Sequence, residues 1–344
     1  DIVARPVRWL WPGRIARGKL TVIAGHPGLG KSQLALAIVA IVTTGGRWPV
    51  HGGRAERGSA IIFSAEDDAE DTIGPRLDAA GADAGRWHVV EAVQDIDSAG
   101  QVRRRGFSLA NDLDRLAGEL ERLGDVALVV IDPITAYLGG EIDSHRTADV
   151  RALLEPVQRL AERHRVAILA ISHLRKSADG DAILRVTGSL AFVAAARATY
   201  IVARDDTIDG RRLMLPAKNN LGTDTTGYAY TIEPKMLPGG IETCRVVWGD
   251  ELVTVTADEA LAARRDTAAP TRRDMAANWL CEMLAGGPVP VRQIEAEAKS
   301  AGLAWATVRR AADYLGIVAE KTGYEAGWAW RVPYDGAPGE EIDL

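Results

Sequence analysis

The stretch that most limits how this chain can fold is GHPGLGKS, residues 25–32. Just before it, KLTVIAG at 19–25 is a short apolar run centred on Val22 and Ile23, which reads as a buried strand. Just after it, 31–43 places apolar residues at 34, 36, 38, 39, 41 and 42, the spacing of a helix. Glycines between a strand and a helix let backbone N–H groups curl round an anion, because no Cβ stands in the way. The helix amino end adds partial positive charge. The G-x-x-x-x-G-K-S spacing in this setting predicts a phosphate loop. Its candidate contacts are Gly25, His26, Pro27, Gly28, Leu29, Gly30, Lys31, Ser32 and Gln33. Lys31 is expected on the β- and γ-phosphates of a nucleoside triphosphate, and Ser32 on Mg2+.

The rest of the chain is consistent with such a loop. Further apolar runs at 59–64, 127–131 and 166–171 alternate with helix-period stretches at 109–123 and 148–163. That alternation predicts an α/β fold with a mostly parallel sheet covered on both faces. After 199–203 the pattern changes, and 211–217 and 228–233 read as antiparallel edge strands. Residues 1–265 are therefore expected to form the ATPase domain. A polar, Pro-containing linker is expected at 266–273. Three short helices at 274–284, 291–300 and 304–315, then a hairpin in 316–332, predict a small winged helix-turn-helix over 274–333. The acidic tail, 334–344, is expected to be disordered.

Charge and cysteine usage narrow the class. A formal net charge of -6 argues against a generally basic nucleic-acid coat but leaves room for a local basic channel. Cys244 and Cys281 give neither a disulfide framework nor zinc spacing, so a reducing cytoplasm is expected. No apolar run is long enough for a membrane span, and no secretory signal precedes the first strand.

Three polar residues at strand ends are candidates for chemistry. Asp132 ends ALVVID, where a magnesium-holding carboxylate belongs; the alternative is a strand-ending turn residue. Glu66 follows FSA, and if its strand neighbours the phosphate-loop strand it points at the γ-phosphate and can take a proton from water. Asp67 and Asp68 are rivals, and helix capping is the alternative reading of the cluster. His173 ends AILAISH and is either a phosphate sensor or a structural histidine.

At these residues the chain resembles RecA-like P-loop ATPases, and more closely the plasmid RepA-type hexameric replicative helicases and their relatives in phages and mobile elements. The stretches that carry the resemblance are GHPGLGKS, FSAEDD, LVVIDP, AISHLRK, TGSLAFVAAARATYIVARD and LPAKNNLG, in order across roughly residues 10–235. The resemblance implies a RecA-like core, ATP and Mg2+ as cofactors, and Glu66 as catalytic glutamate. It also implies Asp132 as the Walker B aspartate, His173 as a sensor-like histidine and Arg76 near the adenine. Arg197, nine residues after Gly188, falls where the family places a finger that enters the neighbouring subunit's site, and Lys218 is a second candidate for that role. A homo-oligomeric ring, hexameric in the family, is implied as well. The C-terminal winged helix and the HPGL of the loop depart from the family pattern.

In such rings DNA would touch the loops 138–146 and 174–185, the second of which carries Arg175, Lys176 and Arg185 but no aromatic side chain for stacking. In the C-terminal domain the helix over 304–315 would offer Thr307, Arg309 and Arg310 to a groove, and the wing around 321–324 would touch phosphates. Trp305, Trp328 and Trp330 read as core. Three functions fit: a helicase or translocase in replication of a mobile element, a RadA-like recombination or repair ATPase, and an ATP-switched regulator that binds DNA or protein through its winged helix.

Overall fold

A computed structural model describes residues 3–96, 101–139, 147–174, 190–222, 225–267, 272–284, 287–321 and 327–331. The chain divides into two compact units, Asp1–Arg264 and Arg265–Leu344. In the first unit a short hairpin, β1 (Trp9–Trp11) and β2 (Ile15–Ala16), precedes β3 (Leu20–Gly25), α1 (Lys31–Thr44), β4 (Ser59–Ser64), α2 (Gly74–Ala80) and β5 (Trp87–Val89). Paired strands β6 (Val93–Ile96) and β7 (Val102–Arg105) lead to α3 (Leu113–Leu123), β8 (Val126–Asp132), α4 (Thr147–His164) and β9 (Ala167–His173). Then come α5 (Leu190–Ala195), β10 (Ala198–Arg204), β11 (Arg212–Asn219), β12 (Gly227–Leu237), β13 (Ile241–Val253) and α6 (Ala257–Thr267), whose last residues pass the boundary between the units.

The main sheet runs β13-β12-β11-β10-β3-β9-β8-β4-β5. From β10 to β5 neighbours are parallel, and from β10 to β13 they are antiparallel. This is the α/β core expected from the sequence, a mostly parallel sheet with antiparallel edge strands. Strands β3 and β8 are buried along their whole length because helices cover both faces. Period-2 alternation sorts their side chains. Val22, Ala24, Val129 and Ile131 face the layer built with Leu116, Leu154 and Val157 of α3 and α4. Ile23, Val130 and Leu169 face Leu34, Ile38 and Val42 of α1.

Four features depart from the sequence reading. Strand β4 does not neighbour the phosphate-loop strand β3; β9 and β8 stand between them. Helix α3 starts at Leu113, not 109, because Asp112, with a side chain 1% exposed, closes a turn that holds 108–112 out of the helix. Its carboxylate accepts from the Ser108 N–H at 2.9 Å and from both Arg105 terminal nitrogens at 2.6 and 2.7 Å. The long strand β13 was not foreseen. Finally, the expected linker begins inside α6, which runs to Thr267, and ends inside a helix that starts at Arg272.

In the second unit α7 (Arg272–Leu284), β14 (Val289–Pro290), α8 (Val291–Ser300), α9 (Trp305–Tyr314), β15 (Val318–Lys321) and β16 (Trp328–Arg331) follow in order. The strands form a sheet β14-β16-β15. Ala276, Leu280, Ile294, Val308 and Ala311 make the core. Trp305 and Trp330 stack at 5.4 Å and pack against that core, but Trp328 is 57% exposed, so it is not the core residue expected. The expected tail and most of the expected wing lie outside the described residues.

Candidate nucleotide site

The phosphate loop hangs between the carboxyl end of β3 and the amino end of α1. Gly25 ends β3 in register with His173 of β9. A Cβ on Gly25 would sit 2.8 Å from the Val202 carbonyl of β10, so the neighbouring strand leaves room for glycine alone. Gly30 has φ of 77° and stands at the amino end of α1, where no side chain caps the helix. Its first-turn N–H groups are thereby left to an incoming anion. Tyr230 of β12 donates its hydroxyl to the Leu29 carbonyl at 3.1 Å and pins the loop from the antiparallel side of the sheet.

A cavity of about 360 Å³ opens at this end, lined by Pro27, Gly28, Gly30, Lys31, Ser32, Gln33, Glu66, Asp67, Arg76, Asp132, His173, Arg212 and Ile232. It brings together the ends of β3, β4, β8 and β9, although β4 is far from β3 in the sheet. Lys31 is 5% exposed and donates to the His26 carbonyl at 3.1 Å. Burial lowers its pKa, while Asp132 and Glu66 pull it back up. Burial raises that of Asp132; the Ser32 hydroxyl opposes the rise, Glu66 and Asp67 add to it, and Lys31 opposes it. His173 Nε2 lies 3.5 Å from Glu66 Oε1, and its buried Nδ1 has no hydrogen-bond partner among the described residues.

The three acids of AEDD separate by task. Asp68 caps the turn that follows β4, accepting from the Glu70 and Asp71 N–H groups. Asp67 is held by Arg76 at 2.7 Å, which brings Arg76 into the cavity wall. Glu66 alone faces His173. The capping reading thus applies to Asp68.

Not every candidate reaches the cavity. Gly25, His26 and Leu29 shape the loop without lining it. Arg197 and Lys218 sit at the opposite, amino end of β10, where the Arg197 N–H donates to the Leu20 carbonyl and Thr199 pairs with Lys218. The Lys218 ammonium closes the carboxyl end of α5, donating to the Val193 and Ala196 carbonyls at 2.7 and 2.8 Å. Neither side chain belongs to its own chain's cavity, because parallel pairing with β3 sets the start of β10 against the start of β3. Arg175, Lys176 and Arg185 lie outside the described residues, as does all of the loop 138–146 after Gly139. Arg309 and Arg310 are exposed on α9, with Arg310 hydrogen-bonded to the Ala306 carbonyl. Arg212 and Ile232 were missed; only the antiparallel pairing of β11 with β12 carries them to the loop.

A hydroxyl and a carboxylate, Ser32 and Asp132, both lining the cavity, are hard oxygen donors of the kind Mg2+ takes. Among the described residues no group of three or more His, Cys, Asp or Glu is placed to hold a metal ion.

Fold and cavity together define a P-loop ATPase domain of the α/β class. The chain belongs to the AAA domain family, whose model matches residues 3–179. Among solved structures it is similar to one described as an "ATPase Domain", with 14% identity over 62% of this chain and 82% of that one and a TM-score of 0.45. No curated protein matches it. No helix among the described residues is long and apolar enough to cross a membrane.

The buried charges set a pH dependence. Asp132 has a folded-state pKa above its unfolded value near 3.8, so the folded chain holds that proton longer. Its contribution to stability is present below about pH 4 and is lost as pH rises through the raised folded pKa. Lys31, shifted down, has its effect at higher pH and with opposite sign. Relative to the parent protein, Asp132→Asn is therefore expected to gain stability as pH rises from about 4 to 7. Urea midpoints across that range without nucleotide check this, and a constant difference would remove the shift.

Proposed function

We propose that this chain is an ATP-hydrolysing motor that acts on DNA, a helicase or translocase serving replication of a mobile element. The observation that carries the reading is the meeting of Lys31, Asp132, Glu66 and His173 in one cavity at the end of the parallel strands. Lys31 would hold the β- and γ-phosphates, and Ser32 and Asp132 would hold Mg2+. When bound, that ion neutralises phosphate charge as it develops. Glu66, more than half exposed at 55%, would accept a proton from an attacking water. His173 stands beside Glu66 and directly precedes Leu174, so it would pass the phosphate state to the 174–185 loop. Arg76 and Arg212 would flank the rest of the nucleotide.

In this reading subunits form a ring, and Arg197 enters the neighbour's site. Lys218, whose ammonium is bound to α5 carbonyls, would set the position of Arg197 beside it. The three helices and small sheet of the second unit would be a winged helix-turn-helix that contacts DNA through Thr307, Arg309 and Arg310. A second reading, an ATP-switched regulator, draws on the exposed Trp328, an aromatic surface suited to a protein partner.

ATP hydrolysis measured with Mg2+, alone and with single-stranded or duplex DNA, separates the two. The motor reading expects single strands to stimulate turnover at least about tenfold, well under the roughly 10²–10³ by which a single charge-stabilising group alters rate. Hydrolysis indifferent to both DNAs would favour the regulator.

A further inference from the structure

At the other end of β3 lies a second cavity, of about 540 Å³, whose charged lining is Arg5, Arg8, Arg17, Lys19 and Arg165 against the single carboxylate of Glu162. We infer that this cleft binds the phosphate backbone of a nucleic acid, as a contact separate from the nucleotide site. Strand β3 starts beside Lys19 and ends at the phosphate loop, and its six residues put roughly 20 Å between the two.

The charges are unevenly balanced. Lys19 pairs with Glu162 at 2.6 Å, and Arg17 reaches Glu56 at 3.1 Å. The Arg17 Nε is buried and has no hydrogen-bond partner among the described residues. Arg5, Arg8 and Arg165 have no ion-pair partner among the described residues. Such a cluster on a chain of net charge -6 is a local feature, and self-repulsion makes it costly unless an anion joins it. Four of the five cations are arginines, whose planar, weakly hydrated forks suit phosphate oxygens.

The surroundings decide which anion. A compact phosphate favours a helix amino end, but here α4 presents its carboxyl end through Glu162 and Arg165, with partial negative charge. The cations come from three separate stretches, 5–8, 17–19 and 165, around a cleft of about 540 Å³. No aromatic side chain lines it, so bases would not stack there. What remains is a backbone tracked through several phosphates without sequence preference. Exposed Arg197, bonded through its N–H to Leu20, extends the basic surface at the same end.

The inference rests on the reading that the chain acts on nucleic acid, and one experiment tells the two apart. Fluorescence anisotropy of a labelled 20-nucleotide single strand is followed over a salt series with the full chain. It is repeated with Arg5→Ala/Arg8→Ala/Arg165→Ala and with the three arginines changed to lysine. The expected result is an affinity at least about tenfold weaker for the alanine variant and a log–log salt slope shallower by about 2, since each single-strand phosphate contact contributes about 0.7. The lysine variant should keep the parent slope, and ATP hydrolysis without DNA should be unchanged in both. Equal affinity and slope in parent and alanine variant would overturn the cleft while leaving the motor reading intact. A parent chain that binds no oligonucleotide would overturn both. An alanine variant that loses self-association and not oligonucleotide affinity would assign the cleft to a second copy of the chain, and so overturn the inference.

Discussion

Glu66→Gln is expected to leave ATP binding intact and to slow hydrolysis by about 10²–10⁴-fold, the usual contribution of a positioned general base. Glutamine keeps the size of the side chain and can still hydrogen-bond toward His173, but it cannot take a proton. The side chain is 55% exposed and is not packed into either core layer, so the substitution leaves stability nearly unchanged. Asp67→Asn is the comparison that gives the result meaning. Asp67 is engaged by Arg76 at 2.7 Å, and its loss should weaken the wall of the cavity, raising KM more than it lowers kcat. Single-turnover rates with saturating nucleotide distinguish the two variants. Parent-like turnover in Glu66→Gln would take Glu66 out of the proton-transfer role.

The second large effect concerns Lys31. Lys31→Met should reduce kcat/KM by about 10²–10³ or more, since a buried ammonium would act on phosphate charge. Stability should hardly fall. The buried ammonium is desolvated, its pKa is lowered by that burial, and methionine fills much of the same volume without the charge. Left behind, Asp132 would lose the one cation that stabilises its charged form and become easier to protonate. Calorimetric titration with Mg2+-ATP, together with melting curves, checks both halves. A variant that still binds nucleotide as the parent does would contradict the role of Lys31.

Much of this site was legible in the sequence because its parts are local. The phosphate loop, Asp132 and His173 each end a continuous apolar run, and such runs mark strands buried on both faces. What the chain order cannot carry is lateral placement. Glu66 was tied to a strand supposed to neighbour β3; the sheet inserts β9 and β8 between, and Glu66 still reaches the cavity because it extends past the end of β4 toward His173. Arg212 and Ile232 were hidden for the same reason. They come from β11 and β12 on the antiparallel side of the sheet, where β13, the partner of β12, is half exposed over most of its length and so lacks a clean alternation. The start of α3 was misplaced because a buried carboxylate, Asp112, ties its own turn, a contact that periodicity does not encode.

The measurement that bears most directly on the central claim is phosphate release from ATP by the purified chain, with Mg2+ and with the metal chelated. Release that requires Mg2+ and disappears in Lys31→Met is the result expected from the cavity shared by Lys31, Ser32, Glu66, Asp132 and His173. No release from a folded chain, or release that survives both chelation and the loss of Lys31, would contradict it.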